Sequence, residues 1–172
     1  MELESTDVLV FAAHPDDAEL SCGGAIAQLT SQGKTVAIVD CTQGELGSRG
    51  SVELREIEAQ KASAILGVHT RANLQMEDGN IEISKVNIVK IITAIRRFRP
   101  KMILFNPPNE RHPDHEHVHQ LVRAAIFQSG LVKIHTTWNG QPQAPHRPAR
   151  MFSYMQTYEF QPNFYIDISA VF

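Results

Sequence analysis

The chain has 172 residues, 42% of them apolar and 20% charged, with 16 lysines and arginines against 19 acids for a net charge of −3. At about 150 residues per domain this is one domain, able to bury roughly 70% of its unfolded surface without disulfides or a structural metal. A nucleic-acid or membrane binder held by charge would lean basic, no apolar run approaches the roughly 18 residues of a membrane span, and the acidic start Met1-Glu-Leu-Glu-Ser-Thr-Asp7 is unlike a secretory signal.

Asp7 to Ala13 is a continuous apolar run of strand length, as a strand buried on both faces requires. It runs into His14-Pro-Asp-Asp17 and then a helix to about Gln32, with Pro15 near its start and Gly33 just past its end. Thr35 to Cys41 reads as a second strand. A turn-rich loop follows, Thr42-Gln-Gly-Glu-Leu-Gly-Ser-Arg-Gly50, and then a helix from about Ser51 to Leu66, closed by Gly67. After a short strand, Ser84 opens a third helix, through Val86, Ile88, Val89, Ile92 and Ile95, that ends before Pro100. Lys101 to Phe105 is another buried strand, followed by a histidine-rich loop and a helix to about Gln128. Asn139 to Arg150 holds three prolines and reads as an irregular surface loop, with further strands expected over Met151 to Gln156 and Phe164 to Ile168. Cys22 and Cys41 are too few for a disulfide scaffold and read as buried thiols of a cytoplasmic protein.

This alternation of strands and helices predicts a Rossmann-like, doubly wound α/β domain: a mainly parallel sheet with helices on both faces. Parallel strands end on one edge, and ligands of open α/β sheets bind there, so the active site is expected at the C-terminal edge of the strands. The loops after Ala13, Cys41 and Phe105 must share that edge. They also carry the unusual polar residues.

The first strand-to-helix turn holds Asp16 and Asp17 where a dinucleotide-binding fold would hold glycines, and two carboxylates there repel a pyrophosphate. Acidic residues in a first helical turn also act as caps. His14 beside them, with a histidine-rich loop on the same edge, supplies instead the ligand types of a catalytic zinc site: three N/O ligands and one open position. The second element is Arg111-His-Pro-Asp-His-Glu-His-Val-His119. Two assignments compete for it. In one, His112-x-Asp114-His115 gives a ligand and an acid/base pair. In the other, His115-Glu116-x-x-His119 is the helical zinc-peptidase motif with Glu116 as base; it leaves His14, Asp16 and Asp17 without a role, and His117 and His119 otherwise read as helix-surface residues.

His14-Pro-Asp-Asp17 after a buried strand, Thr42-x-Gly-Glu-x-Gly-Ser-Arg-Gly50 after the next, and His112-x-Asp-His115 together resemble the LmbE/PIG-L zinc-dependent N-deacetylases over nearly the whole chain. Asn73-Leu-Gln-Met-Glu-Asp-Gly79, and Arg147-Pro148 before Tyr154, look most like the bacillithiol-biosynthesis branch, which removes acetate from N-acetylglucosaminyl-malate. The resemblance implies one Zn2+ held by His14, Asp17 and His115, with Asp16 as general base. It implies that His112, oriented by Asp114, serves the tetrahedral intermediate and leaving amine. Arg55 matches a family arginine implied in substrate binding, and it shares a helical stripe with Ala59, Ala62 and Leu66. Arg49, Arg55 and Arg111 are thus the candidates to hold a substrate carboxylate, since a guanidinium fork matches that geometry. The expected partner is a small N-acetylated amino-sugar glycoside, with no nucleic acid and no membrane, and the resemblance implies a homo-oligomer. Family members usually continue past the segment resembling Phe164-Tyr-Ile-Asp-Ile-Ser169, so residues 1–172 are expected to form one deacetylase domain without that C-terminal extension. A zinc peptidase and a non-catalytic metal-binding protein are the competing classes; the latter would not require the pair Asp16 and His112.

Overall fold

The computed structural model describes residues 5–171. Five parallel strands form its main sheet in the order β3-β2-β1-β4-β7: β1 (Val8–Ala12), β2 (Val36–Thr42), β3 (Thr70–Met76), β4 (Met102–Phe105) and β7 (Arg150–Ser153). Four helices join them: α1 (Asp17–Ser31), α2 (Val52–Ile65), α3 (Lys85–Phe98) and α4 (Pro113–Ser129). The expected doubly wound architecture is present, and most element boundaries fall within two residues of those the sequence predicts.

The central strand shows why the sheet takes helices on both sides. All of β1 is buried. Val8, Val10 and Ala12 face one layer with Ala18, Cys22 and Ile26 of α1, while Leu9, Phe11 and Ala13 face another with Ile91, Ile92 and Ile95 of α3 and Leu121, Val122 and Ala125 of α4. Side chains alternate across a strand, so a strand apolar at every position needs two apolar partners. Each large side chain removed from water contributes about 1.5–3 kcal/mol before entropy is charged against it.

Connections from β1 run one way through β2 to β3 and the other way through β4 to β7. The order reverses between β1 and β4, and a crevice opens where two adjacent strands send their chains in opposite directions. The loops that follow these two strands carry His14 and His112.

Three expectations change in detail. The segment 139–150 is not wholly irregular: β5 (Thr137–Trp138) and β6 (Gln141–Pro142) form a small antiparallel hairpin, and Asn139 and Gly140 both take positive φ, as a tight hairpin turn demands. The strand expected over Met151–Gln156 is shorter and ends at Ser153. Phe164–Ile168 is not a strand. It docks through side chains, Phe164 against Phe152 with ring centroids 4.7 Å apart and Ile168 against the backbone at Gly24, and these contacts take the place of main-chain pairing. Both cysteines are buried and free, with burial pushing the Cys22 thiol up to about 12.

Candidate metal centre and active-site cavity

The turn after β1 folds on itself. The N–H groups of Asp16 and Asp17 both donate to the His14 carbonyl, and the His14 N–H donates to Asp17 Oδ2 at 3.0 Å. Asp17 thereby enters the first turn of α1 with its carboxylate turned back on His14. On the neighbouring chain, His112 is the N-cap of α4 and Pro113 starts the helix, where a missing N–H costs nothing. His115 lies one turn in, its N–H donating to the His112 carbonyl.

Three potential ligands meet between the two loops. His115 Nε2 is 3.3 Å from His14 Nδ1 and 3.2 Å from Asp17 Oδ1, and His14 Nδ1 is 3.6 Å from Asp17 Oδ2. Asp17 and His115 are buried and His14 nearly so, and their ligating atoms all lie within 4.8 Å of one another. Electrostatics asks for a cation here. Burial opposes a charge on His14, yet its hydrogen bonds to the Asp114 and Asp17 carboxylates overcome it and push its pKa up to about 10. Burial likewise opposes ionisation of Asp17, but its bonds to His115 and His14 hold it well below the usual carboxylate range. His115 Nδ1 is buried with no hydrogen-bond partner among the described residues. Two imidazoles and a carboxylate, crowded nitrogen to nitrogen, fit a divalent metal ion.

A second grouping, His14, His112 and Asp114, also satisfies the distances. Its atoms are otherwise engaged. Asp114 accepts from the N–H groups of Gly79 at 2.7 Å and Ile81 at 3.2 Å, and its Oδ2 sits 3.3 Å from His14 Nε2. The carboxylate of Asp114 therefore orients His14, the usual arrangement behind a metal-bound imidazole, and not His112 as the family resemblance implies. Its tie to His112 is through the main chain: the Asp114 N–H donates to His112 Nδ1 at 3.3 Å. Burial and the neighbouring His14 lower the His112 pKa.

The three imidazoles and Asp17 form the floor of a cavity of about 480 Å³ that reaches the surface. Asp16 lies beside them with its side chain half exposed. It occupies the N-cap position of α1 but makes no capping hydrogen bond; its Oδ2 accepts from Arg55 Nη2 at 3.1 Å. Capping therefore does not explain Asp16. Burial, then the adjacent Asp17, raises its pKa. Of the three arginines, Arg55 and Arg111 line the cavity, Arg55 engaged by Asp16 and Arg111 exposed on the rim. Arg49 is exposed and is not among the lining residues.

The zinc-peptidase pattern does not assemble. His119 Nδ1 donates to the Asn106 carbonyl at 3.0 Å and its ring stacks on Phe105, while Glu116 accepts from the Glu110 N–H. His117 donates to the Ile81 carbonyl. Both histidines serve the packing of α4.

Sequence reasoning missed Asp78, Asn106 and Gln156. Asp78 is buried, with Oδ1 at 3.1 Å from His14 Nε2 and Oδ2 accepting from the Leu46 N–H at 2.8 Å, so it ties the metal centre to the glycine-rich loop. Gln156 donates to Asp17 Oδ1 at 3.0 Å and accepts from Asn106, which also donates to Asp17 Oδ2. Asp78 lies in a stretch the resemblance quotes, but nothing in its spacing reveals a role. Asn106 directly follows β4 at the binding edge, and that position is the one signal the sequence offered.

The chain has known relatives. The chain belongs to the PIG-L family, described as GlcNAc-PI de-N-acetylase, whose family model matches residues 9–126. It is 33% identical to the diacetylchitobiose deacetylase of Thermococcus kodakarensis over 95% of its own length and 64% of that protein. It is 31% identical to a probable N-acetyl-alpha-D-glucosaminyl L-malate deacetylase of Bacillus cereus, over 69% of this chain and 60% of that one. Among solved structures, a conserved protein of Thermus thermophilus superposes with a TM-score of 0.89 at 39% identity, covering 96% of this chain and 73% of the other. The chain thus spans under two thirds of the length of both curated relatives. No described helix is long and apolar enough to cross a membrane.

Proposed function

We propose that the protein is a zinc-dependent hydrolase that removes acetate from the 2-acetamido group of an N-acetylglucosaminide. The carrying observation is the convergence of His14, Asp17 and His115 on a cavity floor beside a non-ligating carboxylate, Asp16, and a third imidazole, His112. When bound, zinc supplies the Lewis acidity that activates a water and polarises an acyl carbonyl. Asp16 takes the proton of the attacking water and returns it to the departing amine as the C–N bond breaks. His112 accepts the Asp114 N–H at Nδ1, so its neutral ring carries the proton on Nε2 and donates to the carbonyl oxygen as charge develops there.

The two curated relatives named above act, by their names, on acetamido sugars that differ in what the sugar is attached to. Malate, as in bacillithiol biosynthesis, is our first reading of that aglycone, with Arg111 on the rim as its carboxylate contact. One observation favours a neutral second sugar instead: Arg55 is engaged by Asp16 and Arg49 lies outside the cavity, which leaves Arg111 to meet both malate carboxylates. The buried free thiols suit a reducing compartment, and we place the reaction in the cytosol. A homo-oligomer belongs to the same proposal.

Acetate release by the zinc-loaded chain from N-acetylglucosaminyl-malate, diacetylchitobiose and free N-acetylglucosamine tests both levels. Release from an acetamido sugar supports the deacetylase; release from none overturns it. A charge-assisted contact to malate should make its glycoside at least about tenfold better in kcat/KM than the free sugar. Equal values remove malate and leave the deacetylase standing.

A further inference from the structure

Two glycines of the loop between β2 and α2 face one side chain. A Cβ on Gly44 would stand 2.8 Å from Arg55 Nε, and a Cβ on Gly47 would overlap Arg55 Nη1. The Gly47 N–H donates to the Gly44 carbonyl at 3.0 Å, so the two residues form one tight turn and present a bare surface. Arg55 leaves the first turns of α2, crosses that surface with its side chain largely shielded from water, and ends on Asp16 Oδ2 at 3.1 Å. Asp16 is the residue whose N-cap position would otherwise turn it toward the helix N–H groups, and it makes no such bond.

We propose that Arg55 is a positioning residue, holding Asp16 in the cavity and away from its own helix end, and that Gly47, unlike Gly44 whose positive φ already requires glycine, is a glycine because the guanidinium passes over it. One Asp16 oxygen is thereby fixed and the other left to meet the water. This inference rests on the deacetylase reading, and it departs from the expectation that Arg55 binds a substrate carboxylate. A lysine could supply the charge but not the planar group that lies flat in so narrow a passage.

Gly47 offers the cleaner probe. Gly44 has φ +65 and is strained by any side chain, whereas Gly47 lies outside the left-handed region, and its added Cβ meets Arg55 first and then the Gly44 carbonyl at 3.1 Å. The experiment compares kcat and KM for the zinc-loaded wild type, Gly47→Ala, Arg55→Ala, Arg55→Lys and the Gly47→Ala/Arg55→Ala double variant, with zinc content and unfolding midpoint of each. Displacing a catalytic group by about 1 Å costs about 100-fold, so both single alanine variants should lose about that much in kcat with KM nearly unchanged and zinc retained. The double variant should be no worse than Arg55→Ala, and Arg55→Lys should recover only part. A loss confined to KM, or multiplicative losses in the double variant, overturns the inference. A second readout stands apart from activity. The Arg55 guanidinium protons should show a resonance protected from exchange in the wild type and lost in both Asp16→Ala and Gly47→Ala. Should the wild type release no acetate, the deacetylase reading falls, and this signal alone decides whether Arg55 is bound to Asp16; its persistence in Asp16→Ala overturns the assignment.

Discussion

Two buried clusters of charge lie within the same sheet, and they differ in whether they contain their own answer. Outside the lining of the active-site cavity, Arg71 of β3 points its fork at Asp40 of β2, with Nε at 2.6 Å and Nη2 at 2.9 Å, and reaches Glu19 of α1. It also donates to the Ala59 carbonyl and Ser63 Oγ of α2. Its side chain is 2% exposed. At the C-terminal edge, His14 is surrounded by Asp17, Asp78 and Asp114, no lysine or arginine takes part in those contacts, and His115 retains a buried unpartnered nitrogen. The first cluster is closed, a clasp among four elements. The second carries carboxylates without a permanent countercharge, and its ligand set is one that a divalent cation would complete. Burial alone does not mark a functional site; an unanswered charge does.

The sharpest way to break this comparison is at Asp16, which belongs to the open cluster without being a ligand. Asp16→Asn should retain the metal and the fold while kcat falls by about 10²–10⁴, the range of general acid–base catalysis. Acetate release close to the wild-type rate would reduce Asp16 to a surface acid.

The closed cluster should respond in stability. Arg71→Ala leaves Asp40 buried and unpaired, and breaking a buried pair from one side costs about 3–5 kcal/mol. Burial pushes Asp40 up to about 6 even against Arg71, so the loss should be largest above that pH, where the carboxylate must ionise without its partner, and smaller below it. Denaturant unfolding at pH 5 and pH 8 reads this directly, and a penalty independent of pH would contradict the assignment.

A smaller effect is expected at the opposite edge of the sheet. Asp7 is held at about 2 by its hydrogen bond from Lys101 and the Thr35 N–H. A depressed carboxyl pKa stabilises above its unfolded value, about 3.9, and that stability fades as pH falls towards 2. Lys101 is mostly exposed, so solvent screening keeps Lys101→Met under about 1 kcal/mol at pH 7. The difference from wild type should narrow between pH 4 and pH 2.

Much of this was legible in the sequence, for identifiable reasons. Strands such as Val8–Ala12 and Met102–Phe105 are apolar throughout and bounded by turn residues, so their existence and parallel pairing follow from pattern. His14, Asp17 and His115 stand out because ligand-type residues cluster in loops that the topology sends to one edge. β3 was faint because half-exposed residues alternate with a register shift opposite β2 and a positive φ at Gln75. The hairpin at Asn139-Gly140 was available from its turn residues and was obscured by three prolines. The partners of the metal ligands were not legible: Gln156 lies 139 residues from Asp17, and Asp114 turns to His14 across 100 residues, distances that only packing resolves.

The most direct test of the central claim is zinc content after equilibrium dialysis in wild type, His14→Ala, His115→Ala and His119→Ala. The geometry predicts one zinc per chain in the wild type and in His119→Ala, with little or none in His14→Ala and His115→Ala, all four retaining the same circular dichroism spectrum. Zinc lost from His119→Ala and kept by His14→Ala would contradict the site described and return the metal to the helical His115-Glu116-x-x-His119 arrangement.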